Sequence, residues 1–335
     1  MTKNILVVGG AGYVGSHACM ALRKAGYTPI VYDNFSNGHK SFVQWGPYFE
    51  GDIRNPEALK KAFQDYGPIG VLHFAALIEV GISVKDPIIF YETNVCGSIN
   101  VIRAAYDAGV KAFVFSSTCA TYGVPEYLPL DENHIQNPIN PYGNSKLIVE
   151  KCLADMQQYK GFNSIALRYF NAAGADPEGR IGEKHDPETH AIPIALEAAV
   201  GMREGFSIFG DSYDTEDGTC VRDYIHVLDL ADAHIRALEY LLAGNLGQPF
   251  NLGTGTGTSV KQLVETIRVV TGKAFPVGRK PPREGDSPRL VANNEKAKME
   301  LGWTPKYSME DILSDAWNWH QASYSQCKDR KCALR

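Results

Sequence analysis

Apolar and polar positions follow two different periods along the first half of the chain. Continuous apolar runs predict buried strands at residues 4–9, 28–33, 70–76, 111–119 and 163–171. Amphipathic stretches predict helices between them, at residues 16–26, 56–67, 94–109 and 140–159. Apolar strands separated by helices are typical of parallel βαβ units in which both sheet faces are covered. The pattern therefore predicts an α/β protein with an open, doubly wound parallel sheet.

The pattern changes after residue 171. The segments 172–190 and 280–289 are polar and loop-rich, and the elements between them are short. The regular apolar runs near residues 225–252 indicate that the chain returns there to the sheet of the first domain. We therefore expect a second, smaller α/β domain, separated from the first by a cleft. The predicted domains are residues 1–175 plus about 223–258, and about 176–222 plus 259–335.

Composition and charge exclude several classes of protein. The chain has 335 residues and a formal net charge of −5, so no basic excess points to nucleic acid or to a membrane surface. No stretch approaches the roughly 20 apolar residues of a membrane span. The seven cysteines are odd in number and scattered, which indicates reduced thiols in a cytoplasmic protein. The tail "CKDRKC" lacks the further ligands of a zinc site, so we expect no metal.

A glycine-rich turn joins the first predicted strand to the first predicted helix. Gly9, Gly12 and Gly15 form a G-x-x-G-x-x-G pattern within "VVGGAGYVGS". Such glycines permit a tight turn, a close approach to a pyrophosphate and close packing of helix on strand. Asp33 ends the second strand, 18 residues after Gly15. A carboxylate there accepts hydrogen bonds from ribose hydroxyls and repels a 2′-phosphate, so the pattern predicts a site for NAD rather than NADP.

A second glycine-rich turn provides an internal comparison. The segment "NLGTGTGTS", residues 251–259, also leads from a predicted strand to a predicted helix. No acidic residue lies about 20 positions further on, where a dinucleotide site needs one. We interpret this turn as a structural loop in which Ser259 caps a helix.

Tyr142 and Lys146 lie four residues apart at the start of a predicted helix. Their face continues through Val149 and Leu153, which indicates that it points into the core, whereas Glu150 belongs to the polar, solvated side. A nearby ammonium favours the phenolate and lowers the pKa of a tyrosine, and a bound nicotinamide cation would lower it further. The pair therefore predicts a site where Tyr142 takes a proton from a sugar hydroxyl.

Thr118 ends the strand that leads to this site, within "FSSTCATYG". Its hydroxyl is placed to hydrogen-bond the same sugar hydroxyl. Alternatively it bonds its own backbone, a common habit of serine and threonine. The sequence leaves both interpretations open.

Several motifs together resemble a known family. The glycine turn, Asp33, "SSTCATYG" and "PYGNSK" resemble the extended short-chain dehydrogenases/reductases. The segments "LRYFNAAGADPEGRIGE", "TEDGTCVRDYIHVLDLADAH" and "PREGD" resemble the UDP-glucose/UDP-galactose 4-epimerase branch of that superfamily. The motifs occur in the right order over nearly the whole chain. The resemblance implies a Rossmann-type NAD-binding domain as the first domain and a nucleotide-sugar-binding domain as the second.

This resemblance also implies a reaction. NAD stays bound and takes a hydride from C4 of the sugar while Tyr142 removes the 4-OH proton; Lys146 binds the nicotinamide ribose. The transient 4-keto sugar swings about its pyrophosphate link and receives the hydride on its other face. The protein would thus be an isomerase with a UDP-sugar substrate. The family further implies a homodimer, with a helix pair such as 94–109 and 143–158 at its interface.

The resemblance carries over individual contact residues. Those implied for the cofactor are Gly9, Gly12, Tyr13, Val14, Gly15, Asp33, Asn34, Asn37, Asp52, Ile53, Phe74, Ala75, Tyr142, Lys146 and Tyr169. Those implied for the substrate are Thr118, Tyr142, Asn171, His190, Phe209, Arg222, Arg283, Asp286 and Leu290. The implied catalytic set is Tyr142, Lys146 and Thr118. Arginine is the expected partner of a diphosphate because its planar fork pairs phosphate oxygens bidentately.

Two positions depart from the family pattern. Ile78 stands where many members have a lysine near the cofactor, so that contact is absent or replaced. Leu290 stands where a bulky tyrosine is associated with rejection of N-acetylated sugars. The smaller side chain predicts some tolerance for UDP-GlcNAc and UDP-GalNAc.

Other activities on the same fold are alternatives. A 4,6-dehydratase commonly has an acidic pair just after the active-site threonine, and Cys119 and Ala120 stand there instead. A 4-epimerase of UDP-pentoses or UDP-glucuronate remains open, although no motif supplies the extra cation that a uronate needs. The sugar-site segments argue against a net dehydrogenase. The presence of Tyr142 and Lys146 argues against a non-enzymatic nucleotide sensor.

Overall fold

A seven-stranded parallel sheet organises the protein, whose computed structural model describes residues 3–283 and 287–332. The strands are β1 (Asn4–Val8), β2 (Thr28–Asp33), β3 (Tyr48–Glu50), β4 (Gly70–His73), β5 (Ala112–Thr118), β6 (Ser164–Tyr169), β7 (Asn171–Ala173), β8 (Phe206–Phe209), β9 (Val221–Arg222), β10 (Tyr224–His226), β11 (Phe250–Leu252), β12 (Thr258–Ser259), β13 (Val277–Lys280) and β14 (Arg289–Leu290). The large sheet has the order β11-β6-β5-β4-β1-β2-β3, and every neighbouring pair is parallel. This is the strand order of a doubly wound dinucleotide-binding fold with one strand added, so the predicted fold class is confirmed.

Helices cover both faces of this sheet. The α-helices in the described residues are α1 (Tyr13–Lys24), α2 (Pro56–Tyr66), α3 (Val80–Lys85), α4 (Pro87–Phe90), α5 (Gly97–Asp107), α6 (Pro141–Lys160), α7 (Ala191–Ala199), α8 (Val227–Leu242), α9 (Val260–Thr271), α10 (Glu295–Leu301) and α11 (Met309–Cys332). Successive strand residues point to opposite faces, so Ile5 and Val7 pack with α1 and α8, whereas Leu6 and Val8 pack with α2, α5 and α6. Across the described ranges, we find no helix with the length and apolar character that a membrane crossing requires.

The remaining strands form small sheets outside the large one. β7 pairs with β10, β8 pairs with β13, and β9 lies between β12 and β14. A separate apolar core joins α7, α9 and α11 through Leu196, Leu263 and Leu313. Between these parts the chain returns to the large sheet through α8 and β11. The domain bounds given above stay a prediction.

The helix that carries Tyr142 is buried on more sides than its sequence pattern indicated. Glu150 is buried, and its carboxylate pairs with Arg168 of β6, with Oε2 2.7 Å from Nη2. The Ser117 hydroxyl of β5 also donates to Glu150. The assignment of Glu150 to a solvated side was therefore wrong. Its partner lies 18 residues away on another element, and this buried ion pair replaces the contact with water.

Candidate active site

A cavity of about 1260 Å³ opens at the carboxyl ends of the central strands. Ligands bind at this edge in doubly wound folds, where the strand order reverses between β1 and β4. The cavity brings together predicted residues from both halves of the chain. They are Gly9, Gly12, Tyr13, Val14, Gly15, Asp33, Asn34, Asn37, Ile53, Phe74, Ala75, Thr118, Tyr142, Tyr169, Asn171, His190, Arg222, Arg283 and Leu290. Ile78, which replaces a common lysine, also lines it.

The glycine turn after β1 shows why its glycines matter. Gly9 has a φ of +81°, and a Cβ there would lie 2.5 Å from the Ala75 backbone nitrogen. A Cβ on Gly15 would lie 2.2 Å from the Gly9 carbonyl oxygen. Neither position can carry a side chain without a backbone shift. Gly12 precedes α1, and no side chain caps that helix, so its first N–H groups are available to an anion.

Asp33 connects this turn to the second strand. Its carboxylate is buried and accepts hydrogen bonds from the backbone N–H groups of Ala11, at 3.0 Å, and Phe35, at 2.8 Å. Burial raises the pKa of Asp33, although both hydrogen bonds oppose the shift. Each carboxylate oxygen has a further lone pair. Asp33 can therefore fix the turn and still accept from a ligand in the cavity.

Tyr142 lies in the first turn of α6, where backbone packing fixes its position. The Asn140 side chain caps the helix by accepting from the Gly143 N–H at 2.8 Å. A Cβ on Gly143 would lie 2.6 Å from the Ala120 carbonyl oxygen, so only glycine lets α6 approach the turn after β5 this closely. Burial raises the pKa of Tyr142 well above its usual value, and the nearby Tyr169 adds to the effect. In the protein alone Tyr142 is therefore a neutral phenol.

Thr118 makes the backbone contact that its sequence offered as one interpretation, and its hydrogen bond to a sugar hydroxyl stays a prediction. Its Oγ1 accepts a hydrogen bond from the Ala120 N–H at 3.1 Å, which is the local backbone contact. Its side chain also hydrogen-bonds Tyr142, a contact that lowers the pKa of that phenol and partly offsets burial. The two hydroxyls thus lie side by side at the cavity wall.

Lys146 lies beneath the cavity rather than in its wall. Its Nζ donates to the Ser116 carbonyl oxygen at 2.8 Å and lies 4.9 Å from the centre of the Phe115 ring. Burial lowers the pKa of Lys146 to about 7, and the charge of Glu150 partly opposes this shift. The expected lowering of the pKa of Tyr142 by Lys146 and a nicotinamide cation stays a prediction for the ligand-bound protein.

Asp52 and Phe209 lie outside the cavity wall. Asp52 is turned to Arg54, with Oδ2 2.8 Å from Nη2, and this hydrogen-bonded pair lowers the pKa of Asp52. Phe209 ends β8 and does not line the cavity; the Arg283 guanidinium lies 5.0 Å from the centre of its ring, so Phe209 supports a wall residue. Asp286 lies outside the described residues.

The opposite wall carries the predicted diphosphate and sugar contacts. Arg222 Nη1 donates to the carbonyl oxygens of Val221, at 2.9 Å, and Ser287, at 2.8 Å. These contacts hold the guanidinium at the wall. Leu290 is the register partner of Arg222 across β9 and β14. The position predicted to select sugars therefore neighbours a predicted phosphate contact.

Sequence reasoning selected His190 but missed two residues beside it. Glu183 and His185 also line the cavity. Their signal is a repeated Glu-x-His pattern in "EKHDPETH", which places an acid and an imidazole two residues apart twice. Burial alone would lower the pKa of His190, but its hydrogen bond to Glu188 and the charge of Glu183 raise it to about 9.

Comparison with known proteins places this site in a family. The sequence model of the NAD dependent epimerase/dehydratase family matches residues 5–253. The chain belongs to that family. A curated relative, the UDP-glucose 4-epimerase of Rhizobium leguminosarum bv. trifolii, is 61% identical over 321 residues, which cover 96% of this chain and 98% of that protein.

Solved structures of family members agree with this relationship. The UDP-glucose 4-epimerase from Brucella ovis in complex with NAD has a TM-score of 0.93 and 48% identity, over 95% of this chain and 98% of that one. The UDP-glucose 4-epimerase from Bifidobacterium longum in complex with NAD⁺ and UDP has a TM-score of 0.90 and 33% identity, over the same shares of the two chains. The resemblance inferred from the motifs is confirmed.

Proposed function

We propose that this protein is an NAD-dependent UDP-glucose/UDP-galactose 4-epimerase. The observation that carries the proposal is one cavity in which a glycine turn and two arginines flank Tyr142 and Thr118. Its volume of about 1260 Å³ exceeds the roughly 1,000 Å³ at the upper end of pockets for a single small ligand. A dinucleotide and a nucleotide sugar can therefore lie there together. The UDP-glucose 4-epimerase that is 61% identical supports this choice of activity.

The residues of the crevice fit NAD. Gly9 and Gly15 leave no room for side chains, the uncapped start of α1 suits a pyrophosphate, and Asp33 suits a ribose. The residues that would hold the cofactor are Gly9, Gly12, Tyr13, Val14, Gly15, Asp33, Asn34, Asn37, Asp52, Ile53, Phe74, Ala75, Tyr142, Lys146 and Tyr169. When bound, NAD accepts a hydride from C4 of the sugar and returns it, so the sugar passes through a 4-keto form without net oxidation.

Tyr142 is the proton-handling residue of this proposal. Thr118 positions the sugar 4-OH, and Tyr142 takes its proton and later returns it. Lys146 lies beneath them and supplies the positive charge that favours the phenolate. Because burial keeps the phenol neutral in the free protein, proton removal depends on the charges that assemble when the site is filled.

The wall formed by Arg222 and Arg283 would hold the UDP moiety. Guanidinium groups bind phosphate oxygens bidentately, and Phe209 orients Arg283 through the ring contact described above. Asn171, His190 and Asp286 complete the proposed substrate contacts. His190 lies at the cavity wall with Nδ1 turned to Glu188, which leaves Nε2 as the ring nitrogen for a ligand.

Leu290 supports a broader substrate range. It lines the cavity, and we expect a bulkier residue at this position to exclude an N-acetyl group. We expect slow turnover of UDP-GalNAc, and we expect Leu290→Tyr to abolish it while turnover of UDP-galactose persists. A preparation fully active on UDP-galactose with no turnover of UDP-GalNAc above background contradicts this part. A preference for UDP-xylose or UDP-glucuronate over UDP-galactose would favour the alternative epimerases.

We further propose that the protein is a homodimer. Tyr106 on α5 and Ile148 on α6 are exposed, and exposed apolar side chains on neighbouring helices support a homodimer interface there.

We assign residues 1–175 plus about 223–258 to the NAD-binding domain and about 176–222 plus 259–335 to the nucleotide-sugar-binding domain. The free cysteines among the described residues, such as Cys19 and Cys220, support a reducing compartment, the cytoplasm.

A tyrosine substitution tests the proposed chemistry. Tyr142→Phe removes only the phenol oxygen, and we expect turnover of UDP-galactose to fall by about 10²–10⁴-fold, the usual contribution of a general base. Binding of UDP should change little. Tyr159→Phe is the matched control, since Tyr159 lies on the same helix and is 72% exposed. Near-normal turnover in Tyr142→Phe would remove Tyr142 as the base.

A further inference from the structure

Four metal-ligating side chains converge beside the cavity, in the segment that precedes α7. They are Glu183, His185, Glu188 and His190, and one potential ligand atom from each lies within 4.8 Å of all the others. The four residues span eight positions of the chain. Nothing in the proposed epimerase reaction requires Glu183, His185 or Glu188.

Four nitrogen-to-oxygen distances within the cluster, which involve both carboxylate oxygens of Glu188, lie between 2.9 and 3.5 Å. His190 Nδ1 lies 2.9 Å from Glu188 Oε1 and 3.1 Å from Glu183 Oε1. His185 Nδ1 lies 3.5 Å from Glu183 Oε1 and 3.5 Å from Glu188 Oε2. Zinc bonds to imidazole nitrogen and carboxylate oxygen of about 2.0–2.1 Å require tetrahedron edges of about 3.3–3.4 Å. A cation of that size therefore fits between the four groups with small shifts.

Hydrogen bonding within the protein does not satisfy the cluster. His185 Nδ1 is buried and has no hydrogen-bond partner among the described residues, although buried polar atoms are nearly always partnered. The Glu183 and Glu188 side chains are 6% and 5% exposed. Two carboxylates buried side by side need compensating charge; a protonated His190 supplies one positive charge to them, and a divalent cation in its place would supply two.

The surrounding structure holds the ligands in place. Glu188 Oε1 accepts from the backbone N–H groups of Thr189 and His190, both at 2.8 Å. The Trp319 indole N–H donates to the Glu183 carbonyl oxygen at 2.9 Å. In known metal sites, such hydrogen bonds orient the side chains that bind the metal. Their presence distinguishes this cluster from acidic groups that merely share a surface.

We propose that Glu183, His185, Glu188 and His190 form a structural binding site for a zinc-like divalent cation. Two imidazoles and two carboxylates suit Zn²⁺, and four protein ligands leave no open position for catalysis. The ion would fix the segment before α7 and thereby hold His190 at the substrate wall. The tail that sequence analysis examined for metal binding is unrelated to this site, and the expectation of no metal is replaced by this proposal.

Zinc binding to the full-length protein without a histidine tag tests the proposal, and its readout is independent of epimerase activity. After treatment with a chelator, the protein is dialysed against Zn²⁺ and the bound metal is measured per chain. The test variants are Glu183→Gln and His185→Ala. The matched control is Glu178→Gln, which makes the same change in the same segment at a carboxylate that is 69% exposed.

We expect one bound Zn²⁺ per chain in the wild type and in Glu178→Gln, and binding weaker by about tenfold or more in both ligand variants. Co²⁺ in the wild-type protein should give the intense visible absorption of a tetrahedral site, a readout that does not depend on the variants folding. The proposal is overturned if the wild type binds no stoichiometric Zn²⁺, if either folded ligand variant binds it as tightly as the wild type, or if bound Co²⁺ shows only weak octahedral absorption.

Discussion

Two glycine-rich turns in this chain join a strand to a helix, yet only one leaves its backbone donors available. The turn after β1 ends at α1, which no side chain caps. In the turn after β11, the Asp223 carboxylate accepts from the N–H groups of Thr254, at 2.8 Å, and Gly255, at 3.0 Å. The second turn thus pairs the N–H groups of Thr254 and Gly255 with a carboxylate of the protein. In the first turn Asp33 accepts from the Ala11 N–H, whereas the first N–H groups of α1 can receive an anion from a ligand.

The starts of the two helices that follow these turns also differ: no side chain caps α1, whereas one caps α9. Ser259 caps α9 in a capping box, in which its hydroxyl accepts from the Gln262 N–H and the Gln262 side chain accepts from the Ser259 N–H. This confirms the prediction that Ser259 caps a helix, and the interpretation of the second turn as a structural loop stays a prediction. A glycine-rich strand-to-helix turn binds an anion only if the protein leaves its N–H groups unpaired. Composition alone does not distinguish the two cases.

The largest effect should come from Gly15→Ala in the first turn. The new Cβ would meet the Gly9 carbonyl at 2.2 Å, so the turn must shift, at a cost of about 3 kcal/mol. The purified protein should retain no NAD. The matched change, Gly255→Ala in the second turn, meets no atom closer than 3.6 Å. It should cost about 1–2 kcal/mol for its positive φ and leave bound NAD unchanged.

Thermal unfolding measures the stability of both variants, and the absorbance of released NAD measures how much cofactor each variant retains. The comparison fails if the two alanine substitutions reduce the NAD content to the same extent.

Asp223→Ala should be next in size. It leaves the N–H groups of Thr254, Gly255 and Ala292 without their carboxylate acceptor, and we expect a loss of about 2–3 kcal/mol of unfolding free energy. Chemical denaturation measures it. Asp211→Ala, at an exposed ion pair with Arg279, is the control and should change stability by less than about 1 kcal/mol. Equal effects in the two variants would contradict the role given to Asp223.

Asp33→Asn removes the charge and leaves one side-chain acceptor for the two backbone N–H groups, of Ala11 and Phe35, that the carboxylate binds. The hydrogen bond from the Ala11 N–H loses its ionic partner, and so does the ribose contact. We expect NAD affinity to fall by about tenfold, near the value of one charge-assisted hydrogen bond. NADP should compete better because the repulsion of a 2′-phosphate is lost. Titration of both cofactors checks this; an unchanged NAD/NADP preference would show that Asp33 serves only the turn.

The smallest effect should follow Ser259→Ala. Loss of an N-cap costs about 1 kcal/mol, and the cap lies in the turn that binds no cofactor. We expect a slightly lower melting temperature with the same NAD content and the same turnover of UDP-galactose. A loss of NAD in this variant would mean that the two turns are not independent.

The sequence predicted the elements of the large sheet because the apolar period is a local signal. The strand at 28–33 and the helix at 140–159 agree with β2 and α6 almost residue for residue. The Glu150–Arg168 pair was missed because Glu150 lies on α6 and its partner on β6. The closure of the second turn was missed for the same reason, since Asp223 precedes Gly255 by 32 residues.

The residues of the candidate site also differ in how far their sequence predicts them. The glycine turn and Tyr142 carry local patterns that a sequence displays directly. The Glu-x-His pairs at 183–190 are also local, but their meaning depends on whether four side chains turn toward one point. The support of Arg283 by Phe209 joins a loop to the end of β8 and has no sequence signal of its own.

The central claim is that the open first turn and Tyr142 together make a redox-neutral epimerase. The most direct measurement incubates the purified protein with UDP-galactose, without added NAD, and follows both UDP-glucose and NADH. We expect conversion to UDP-glucose with no net NADH, because the bound cofactor is regenerated in each cycle. Failure to form UDP-glucose, or NADH accumulating in proportion to the sugar consumed, would contradict it.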